Sequence, residues 1–133
     1  MTMPQVETLF PPAAPAPIAP LSPAVRWGEM IFVSGQVPRD VNGVITKGGV
    51  AEQTRTVLEN IRLILEGCGS SLHEVVKTTV FLTRISDMAE MNAVYAEVFG
   101  EHRPARSTVE VSALGKPEFL VEIEVIAVSS ASP

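Results

Sequence analysis

The residues best suited to chemistry lie in two alternating segments near the C-terminus. One places Arg106, Thr108 and Glu110 at alternate positions, with Val109 and Val111 on the opposite parity, and the other alternates Glu122 and Glu124 with apolar residues. Successive side chains of a β-strand point to opposite faces, so we expect both polar sets to lie on the sheet face opposite the core. An arginine binds a carboxylate through two parallel hydrogen bonds, and a glutamate can transfer protons to and from water. The pattern predicts a site with that chemistry; a merely solvated sheet face is the alternative.

Few other residues are reactive. The single cysteine excludes an intrachain disulfide, and two histidines with one thiol are too few for a structural zinc site. Cys68 ends the apolar stripe of a predicted helix, where it fits a small buried hydrophobe. His73 is expected at the surface, and His102 is placed to interact with the C-terminal carbonyls of a second predicted helix. Any chemistry must come from arginine, carboxylates and hydroxyls.

The composition favours an oligomer. Of 133 residues, 46% are apolar and 19% are charged, and the mean hydropathy is +0.26, which leaves more apolar surface than a monomer of this size readily hides. Leu120, Ile126 and Val128 fall on the same face as the two glutamates. Neighbouring subunits that cover this face would create a pocket between subunits, lined by arginine and glutamate.

The charge and the apolar runs bear on partners and location. The net charge of -5 disfavours nucleic acid, because the field of the molecule repels phosphates. No apolar run approaches about 18 residues, and no basic residue precedes Arg26, so we expect no membrane partner, no signal peptide and a cytoplasmic protein.

The elements that must position these residues follow from periodicity and turn signals. Seven prolines predict an extended arm over residues 1–23, either poorly ordered or docked with Val6, Leu9 and Phe10 buried. A single domain follows over 24–133. Within it we predict strands at 25–27, 30–34, 75–83, 106–112 and 119–128, and helices at about 50–68 and 87–99. Ser86 or Asp87 can cap the second helix, with Glu90 completing a capping box. This order predicts a two-layer α+β sandwich with both helices on one sheet face.

The segment PARSTVEVSALGKPEFLVEIEVIAV resembles the C-terminal signature of the RidA (YjgF, reactive intermediate deaminase A) family. Further similar features, SPAVRWGEMIFVSGQVP and MNAVYAEVFGEH, extend the resemblance from about residue 18 onwards. It implies a chorismate-mutase-like α+β fold with a mixed sheet, a homotrimer whose sheets form a central barrel, ligand sites in the three clefts between subunits, and no cofactor.

The resemblance also implies an activity, the hydrolysis of enamine and imine intermediates such as 2-aminoacrylate and 2-iminopropanoate to 2-oxo acids and ammonia. Arg106 matches the family's carboxylate-binding arginine, and Glu122 matches the position that activates the attacking water. An ion pair with Glu110, Glu122 or Glu124 is the alternative for Arg106.

Five further residues fall at family positions around the ligand, and three of them match the family's pattern. Ser34 and Gly35 would line the cleft, and Asn92 would hydrogen-bond there. Two positions depart from the family's common pattern. Leu21 stands in place of a tyrosine, which favours a bulkier or less polar imino acid, and Thr108 stands in place of a cysteine, which excludes thiol chemistry.

Two other functions are compatible with the sequence. The chain could be a non-catalytic trimer that binds carboxylates or 2-oxo acids, or it could cleave RNA or inhibit translation, as has been attributed to some relatives. The negative charge and the lack of a basic patch with aromatics disfavour the RNA function.

Overall fold

A computed structural model of the chain describes residues 3–129. It contains six strands and two α-helices, with two short 3-10 turns at Leu72–Glu74 and Ile85–Asp87. The strands are β1 (Glu7–Leu9), β2 (Ala24–Trp27), β3 (Met30–Gln36), β4 (Val75–Leu82), β5 (Ala105–Glu110) and β6 (Val121–Val128); the helices are α1 (Val50–Gly67) and α2 (Met88–Phe99). The predicted helices and the five predicted strands are present, with small shifts at their ends.

The strands form one mixed sheet in the order β1-β2-β3-β6-β4-β5. The β4–β5 pair is parallel, as expected for strands joined through a helix, and the other pairs are antiparallel. The predicted hairpin joins β2 to β3, with Gly28 at a positive φ of 61° in its turn. The predicted α+β architecture is therefore confirmed.

Both helices pack on one face of the sheet. The apolar stripe of α1, including Val57, Leu58 and Ile61, is fully buried against β3 and β6. The predicted alternation in β6 is observed, because Val121 and Ile123 are fully buried on the helix side. The opposite sheet face carries no helix within residues 3–129, and we call it the bare face.

The two helices begin differently. The Glu52 carboxylate accepts a 2.8 Å hydrogen bond from the Gly49 N–H and so satisfies a free donor at the start of α1. The capping prediction for α2 is wrong in its detail. Asp87 precedes the helix but makes no capping hydrogen bond, because its carboxylate pairs with Arg84 at 3.2 Å.

The Pro-rich arm is docked on the domain. Its residues 7–9 form β1, which pairs with β2 at the edge of the sheet. Leu9 packs against the core, whereas Val6 and Phe10 are 69% and 59% exposed, so of the three residues expected to be buried only Leu9 is partly so. Pro11 packs so closely on Gly67, at the end of α1, that no Cβ would fit there. No helix within residues 3–129 has the length and apolar character needed to cross a membrane.

Candidate functional site

Arg106 projects from β5 towards α2. Its register partner on β4, Thr78, is fully buried on the helix side, and paired residues point to the same face. The guanidinium carbon lies 4.9 Å from the centroid of the Tyr95 ring, and the Tyr95 hydroxyl shares a 2.8 Å hydrogen bond with the Thr78 hydroxyl. The arginine therefore rests on an aromatic ring that is itself anchored to the sheet.

A cleft of about 390 Å³ opens beside this arginine, and we call it the arginine cleft. Asn92, Tyr95 and Arg106 line it, together with Ala96, Arg103 and Pro104. The Asn92 Oδ1 atom is buried and accepts no hydrogen bond from residues 3–129. Because a buried acceptor without a partner is costly, it is suited to a ligand N–H or O–H.

Arg106 is available to bind an anion. Within the described part of the chain it forms no ion pair, so the alternative pairing with Glu110, Glu122 or Glu124 is not made. The Glu110 carboxylate instead accepts a 2.8 Å hydrogen bond from the Ile85 N–H. Thr108 also projects to the helix side of β5, and its buried hydroxyl has no partner among residues 3–129.

Glu122 lies on the other side of the sheet, over Gly35. The backbone of β3 shifts register between Val33 and Gln36, and Gly35 falls in this irregularity. A Cβ at position 35 would overlap the Glu122 Oε2 atom and lie 3.0 Å from its Cδ, so only glycine leaves room for the carboxylate. Burial, and secondarily the charge of Glu124, raise the pKa of Glu122 above its usual value.

A second cleft of about 310 Å³ includes this carboxylate, and we call it the glutamate cleft. Its walls combine Gly35, Glu122 and Arg39 with the arm, which contributes Leu21 and residues 15–19. Leu21, Gly35 and Glu122 thus line one cleft. Ser34 lies beside them, but its hydroxyl donates a 2.6 Å hydrogen bond to the Ser22 carbonyl and so holds the arm against β3.

One prediction about these strands is wrong. Arg106, Thr108 and Glu110 do not share the bare face with Glu122 and Glu124, because their register partners Thr78, Val80 and Leu82 are core residues. The valine that alternates with them, Val109, is 43% exposed on the bare face. The cause is that β5 is an edge strand that leaves its helix side open to the arginine cleft, so its polar residues turn there.

Two residues that sequence reasoning missed hold the loops around the glutamate cleft. Asn60 donates to the Arg39 carbonyl at 2.8 Å, and Gln53 both donates to the Glu118 carbonyl and accepts from the Leu120 N–H at 2.8 Å. Both side chains are almost fully buried on α1, seven residues apart on one face. Polar residues within an apolar helical stripe were the available signal.

The remaining reactive residues lie outside both clefts. His73 is exposed and Cys68 is buried, as predicted, and burial raises the pKa of the Cys68 thiol. His102 contacts the end of α2 as expected, but through its backbone N–H, which donates to the Phe99 carbonyl at 3.3 Å; its ring bonds to the Val75 carbonyl at 2.7 Å. No cluster of metal ligands occurs in residues 3–129.

The chain is similar to proteins of one family over most of its length. The family model described as "Endoribonuclease L-PSP" matches residues 11–129. A RutC family protein of Pyrococcus horikoshii is 52% identical over 122 residues, which cover 91% of this chain and 96% of that protein. A protein of Acinetobacter baylyi named 3-aminoacrylate deaminase RutC is 44% identical, with the same coverage of 91% and 96%.

Two further similar proteins are a named deaminase and a protein of known crystal structure. The 2-iminobutanoate/2-iminopropanoate deaminase of Salmonella typhimurium is 43% identical over 86% of this chain and 91% of its own. The crystal structure of the YjgF gene product from Escherichia coli superposes with a TM-score of 0.86 at 42% identity, covering 92% of this chain and 98% of the other. The chain therefore belongs to the RidA (YjgF) family, which includes proteins named as deaminases.

Proposed function

We propose that this protein hydrolyses 2-imino acids, and the enamines that tautomerise to them, to 2-oxo acids and ammonia at sites between the subunits of a homotrimer. Relatives named as deaminases at 43% and 44% identity support the reaction class. The carboxylate-binding and proton-transferring groups of the two clefts support the chemistry.

The separation of Arg106 from Glu122 within one chain is the observation that carries this proposal. Strand β4 lies between β5 and β6, and the two residues pair with positions three residues apart on it, Thr78 and Phe81. Strand geometry puts their Cα atoms about 14 Å apart. Their side chains also point to opposite faces, so one small substrate cannot reach both groups of one chain. A second copy that brings its arginine cleft against the glutamate cleft would complete the site.

Exposed apolar residues on the bare face support the proposed trimer, in which neighbouring copies would meet. Trp27, Phe32 and Val109 are 46%, 42% and 43% exposed, and the register of β2, β3 and β5 places them on this face. Exposed apolar residues gathered on one sheet face favour burial against other copies of the chain.

Arg106 would bind the substrate carboxylate through two charge-assisted hydrogen bonds. The Tyr95 ring beneath it restricts the orientation of the guanidinium, so less freedom is lost when the substrate binds. The Asn92 Oδ1 atom in the same cleft would accept a hydrogen bond from the imine N–H.

Glu122 would act first as a base and then as an acid. Its carboxylate takes a proton from water as the water oxygen adds to the imine carbon, and the C=N double bond becomes a single bond. The carboxyl group then returns that proton to nitrogen, which gives a carbinolamine. In the second step Glu122 transfers the hydroxyl proton to the amine nitrogen, the C–N bond breaks, ammonia leaves and the C=O bond of the 2-oxo acid forms. The raised pKa of Glu122 brings it nearer to the value that suits both transfers at neutral pH.

An imine-trapping assay tests the reaction. Imines are generated in situ by an amino-acid oxidase with semicarbazide present as a trap, and the fall in semicarbazone rate on adding protein is compared with the spontaneous loss. We expect the wild type to compete with the trap, and Arg106→Met and Glu122→Gln to do so at least about 100-fold less well. Equal rates for all three proteins would refute the reaction. Binding of 2-oxobutyrate without turnover would instead favour a carboxylate-binding protein, and RNA cleavage retained by Arg106→Met after removal of contaminating nucleases would favour a ribonuclease.

Mixed oligomers test the shared site. Arg106→Met and Glu122→Gln are unfolded together, refolded in equal amounts and assayed. If each site takes its arginine and glutamate from different chains, about a quarter of the sites regain both groups in random trimers. No recovery, in oligomers shown by mass to be mixed, would place both groups in one chain's site.

A further inference from the structure

Arg39 is a second arginine in the glutamate cleft, and the surrounding structure holds its backbone. Its carbonyl accepts the 2.8 Å hydrogen bond from Asn60, and residue 39 forms a bridge with Ile45 across the following loop. The residue is partly buried and lines the same cavity as Glu122 and Leu21. These contacts therefore hold the Arg39 backbone in a fixed position in the wall of the cleft.

The Arg39 guanidinium also lies near an aromatic ring and forms no ion pair with a carboxylate of the described residues. Its guanidinium carbon lies 5.9 Å from the centroid of the buried Phe119 ring. No carboxylate of residues 3–129 pairs with it, whereas Arg55, Arg62 and Arg84 all form ion pairs on the surface. Arg39 thus shares with Arg106 an aromatic support, a position in a cleft and the absence of an ion pair.

Arg39 and Glu122 line the same cleft but do not pair. In the described part of the chain no ion pair joins the Arg39 guanidinium to the Glu122 carboxylate. The causes of the raised pKa of Glu122 are burial and Glu124, whereas an arginine paired with the carboxylate would lower that pKa. The Arg39 guanidinium is therefore free to meet a different part of the ligand.

The wall of the cleft near Leu21 is apolar. The arm contributes Pro17, Ile18 and Leu21 to it. Such a wall suits a short run of methylene groups, which gain free energy by leaving water. A ligand with an anion at each end and methylene groups between them matches this cleft, completed by Arg106 of a neighbouring copy.

On the basis of the function proposed above, we propose that the preferred substrates are 2-imino dicarboxylic acids, whose side-chain carboxylate binds Arg39 while Arg106 binds the carboxylate next to the imine. The side-chain carboxylate takes no part in the reaction. Hydrolysis still adds one water across C=N and releases ammonia, leaving a 2-oxo dicarboxylic acid.

Kinetics with matched substrates test the assignment. The imines of glutamate and norvaline have the same chain length and differ in the terminal carboxylate, and both are generated in situ by oxidation of the amino acid. We expect kcat/KM to be at least about 10-fold higher for the dicarboxylic imine, as a charge-assisted hydrogen bond would provide. Arg39→Met should make kcat/KM equal for the two imines, although the methionine side chain still covers Phe119. Arg39→Lys should retain part of the difference, which we express as the ratio of the two kcat/KM values.

A matched control removes an arginine elsewhere. Arg62→Met deletes the same charge from the outer surface of α1, where Arg62 pairs with Glu59 and Glu66, and it should leave the ratio as in the wild type. Wild-type protein that hydrolyses the norvaline imine as well as the glutamate imine would overturn the dicarboxylate assignment but not the deaminase. An unchanged ratio in Arg39→Met would overturn the role of Arg39.

Calorimetry gives a readout that does not depend on turnover. The wild type should bind 2-oxoglutarate at least about 10-fold more tightly than 2-oxopentanoate, and Arg39→Met should bind the two equally. If no imine is hydrolysed but this difference is present, the deaminase proposal fails and the dianion site stands. Equal affinities in the wild type would overturn the dianion site.

Discussion

The Glu122 carboxylate occupies the space that a side chain at position 35 would fill. A methyl group there would overlap Oε2 and approach Cδ to 3.0 Å. Because Gly35 on β3 has no side chain, the carboxylate of Glu122 on β6, the proposed base, can lie against the neighbouring strand and face the glutamate cleft.

Gly35→Ala should cost activity far more than stability. The added methyl group displaces the Glu122 carboxylate, and a shift of about 1 Å in a reacting group lowers rates about 100-fold. The measurement is kcat in the imine-trapping assay, with the melting temperature alongside. Gly115→Ala adds the same methyl group to the same cleft, where the nearest neighbour is the Phe119 ring at 4.0 Å, and should lose much less. Equal losses in both variants would contradict the prediction.

Glu122→Gln should be more stable than the wild type at neutral pH. Because burial raises the pKa of Glu122 in the folded state, the folded chain holds that proton more firmly than the unfolded chain. Stability therefore falls as pH rises from the usual glutamate pKa through the raised one. Glutamine removes this loss, so its advantage in melting temperature should be present at pH 8 and vanish below about pH 4, where glutamate is protonated in both states. A constant difference across this range would contradict the assignment.

Glu124→Gln should move the acid limb of the pH–rate profile to lower pH. The charge of Glu124 is the second cause of the raised pKa of Glu122, and glutamine removes that repulsion while keeping the shape. The measurement is kcat/KM against pH for one imine, corrected for spontaneous hydrolysis at each pH. Glu118→Gln, which removes a carboxylate that is not among the causes of the Glu122 shift, should leave the limb in place. A limb that does not move in Glu124→Gln would contradict a base at Glu122 whose pKa is raised by Glu124.

Tyr95→Phe and Tyr95→Leu should separate the ring from its hydroxyl. Phenylalanine keeps the ring under Arg106 but leaves the buried Thr78 hydroxyl without its partner, so we expect a loss of about 1–2 kcal/mol in the free energy of unfolding with little change in KM. Leucine also removes the ring and should raise KM about 3- to 10-fold. Denaturant unfolding and steady-state kinetics give the two quantities. A similar KM for both variants would contradict the role of the ring.

Asn60→Ala should loosen the wall that carries Arg39. The change leaves the Arg39 carbonyl without its 2.8 Å hydrogen bond, which should cost about 1–3 kcal/mol in the free energy of unfolding. Asn42→Ala, on the exposed loop after Asp40, is the control and should cost less than about 0.5 kcal/mol. Denaturant unfolding compares them, and equal costs would mean that the Asn60 hydrogen bond contributes nothing.

Sequence periodicity predicted the elements because their apolar residues do bury. The stripe of α1 and the alternation of β6 both lead to the core, since β6 lies between β3 and β4 in the middle of the sheet. The same alternation misled in β5, where Val109 is exposed and Arg106 turns towards the helices. Alternation separates the two faces of a strand but does not say which face is covered, and at an edge strand the neighbours no longer decide it.

The candidate site was predictable only in part, for a related reason. The family signature predicts roles for Arg106 and Glu122, and the structure places Leu21 and Gly35 in one cleft with Glu122. The sequence signature could not show that Arg106 and Glu122 belong to different clefts, because that depends on the strand order β6-β4-β5. Arg39 and Asn60 were missed because their roles arise from contacts with Phe119 and with loop carbonyls distant in sequence.

The docked arm also bears on how copies of this protein avoid each other in concentrated solution. Without β1, strand β2 would present a free row of N–H and C=O groups, which is a template for another chain to extend the sheet. The arm covers that row with a strand of only three residues, preceded by Pro4 and followed by Pro11 and Pro12, which have no N–H to offer. The prolines that keep the arm from forming a longer strand thus also protect this edge of the sheet from aggregation.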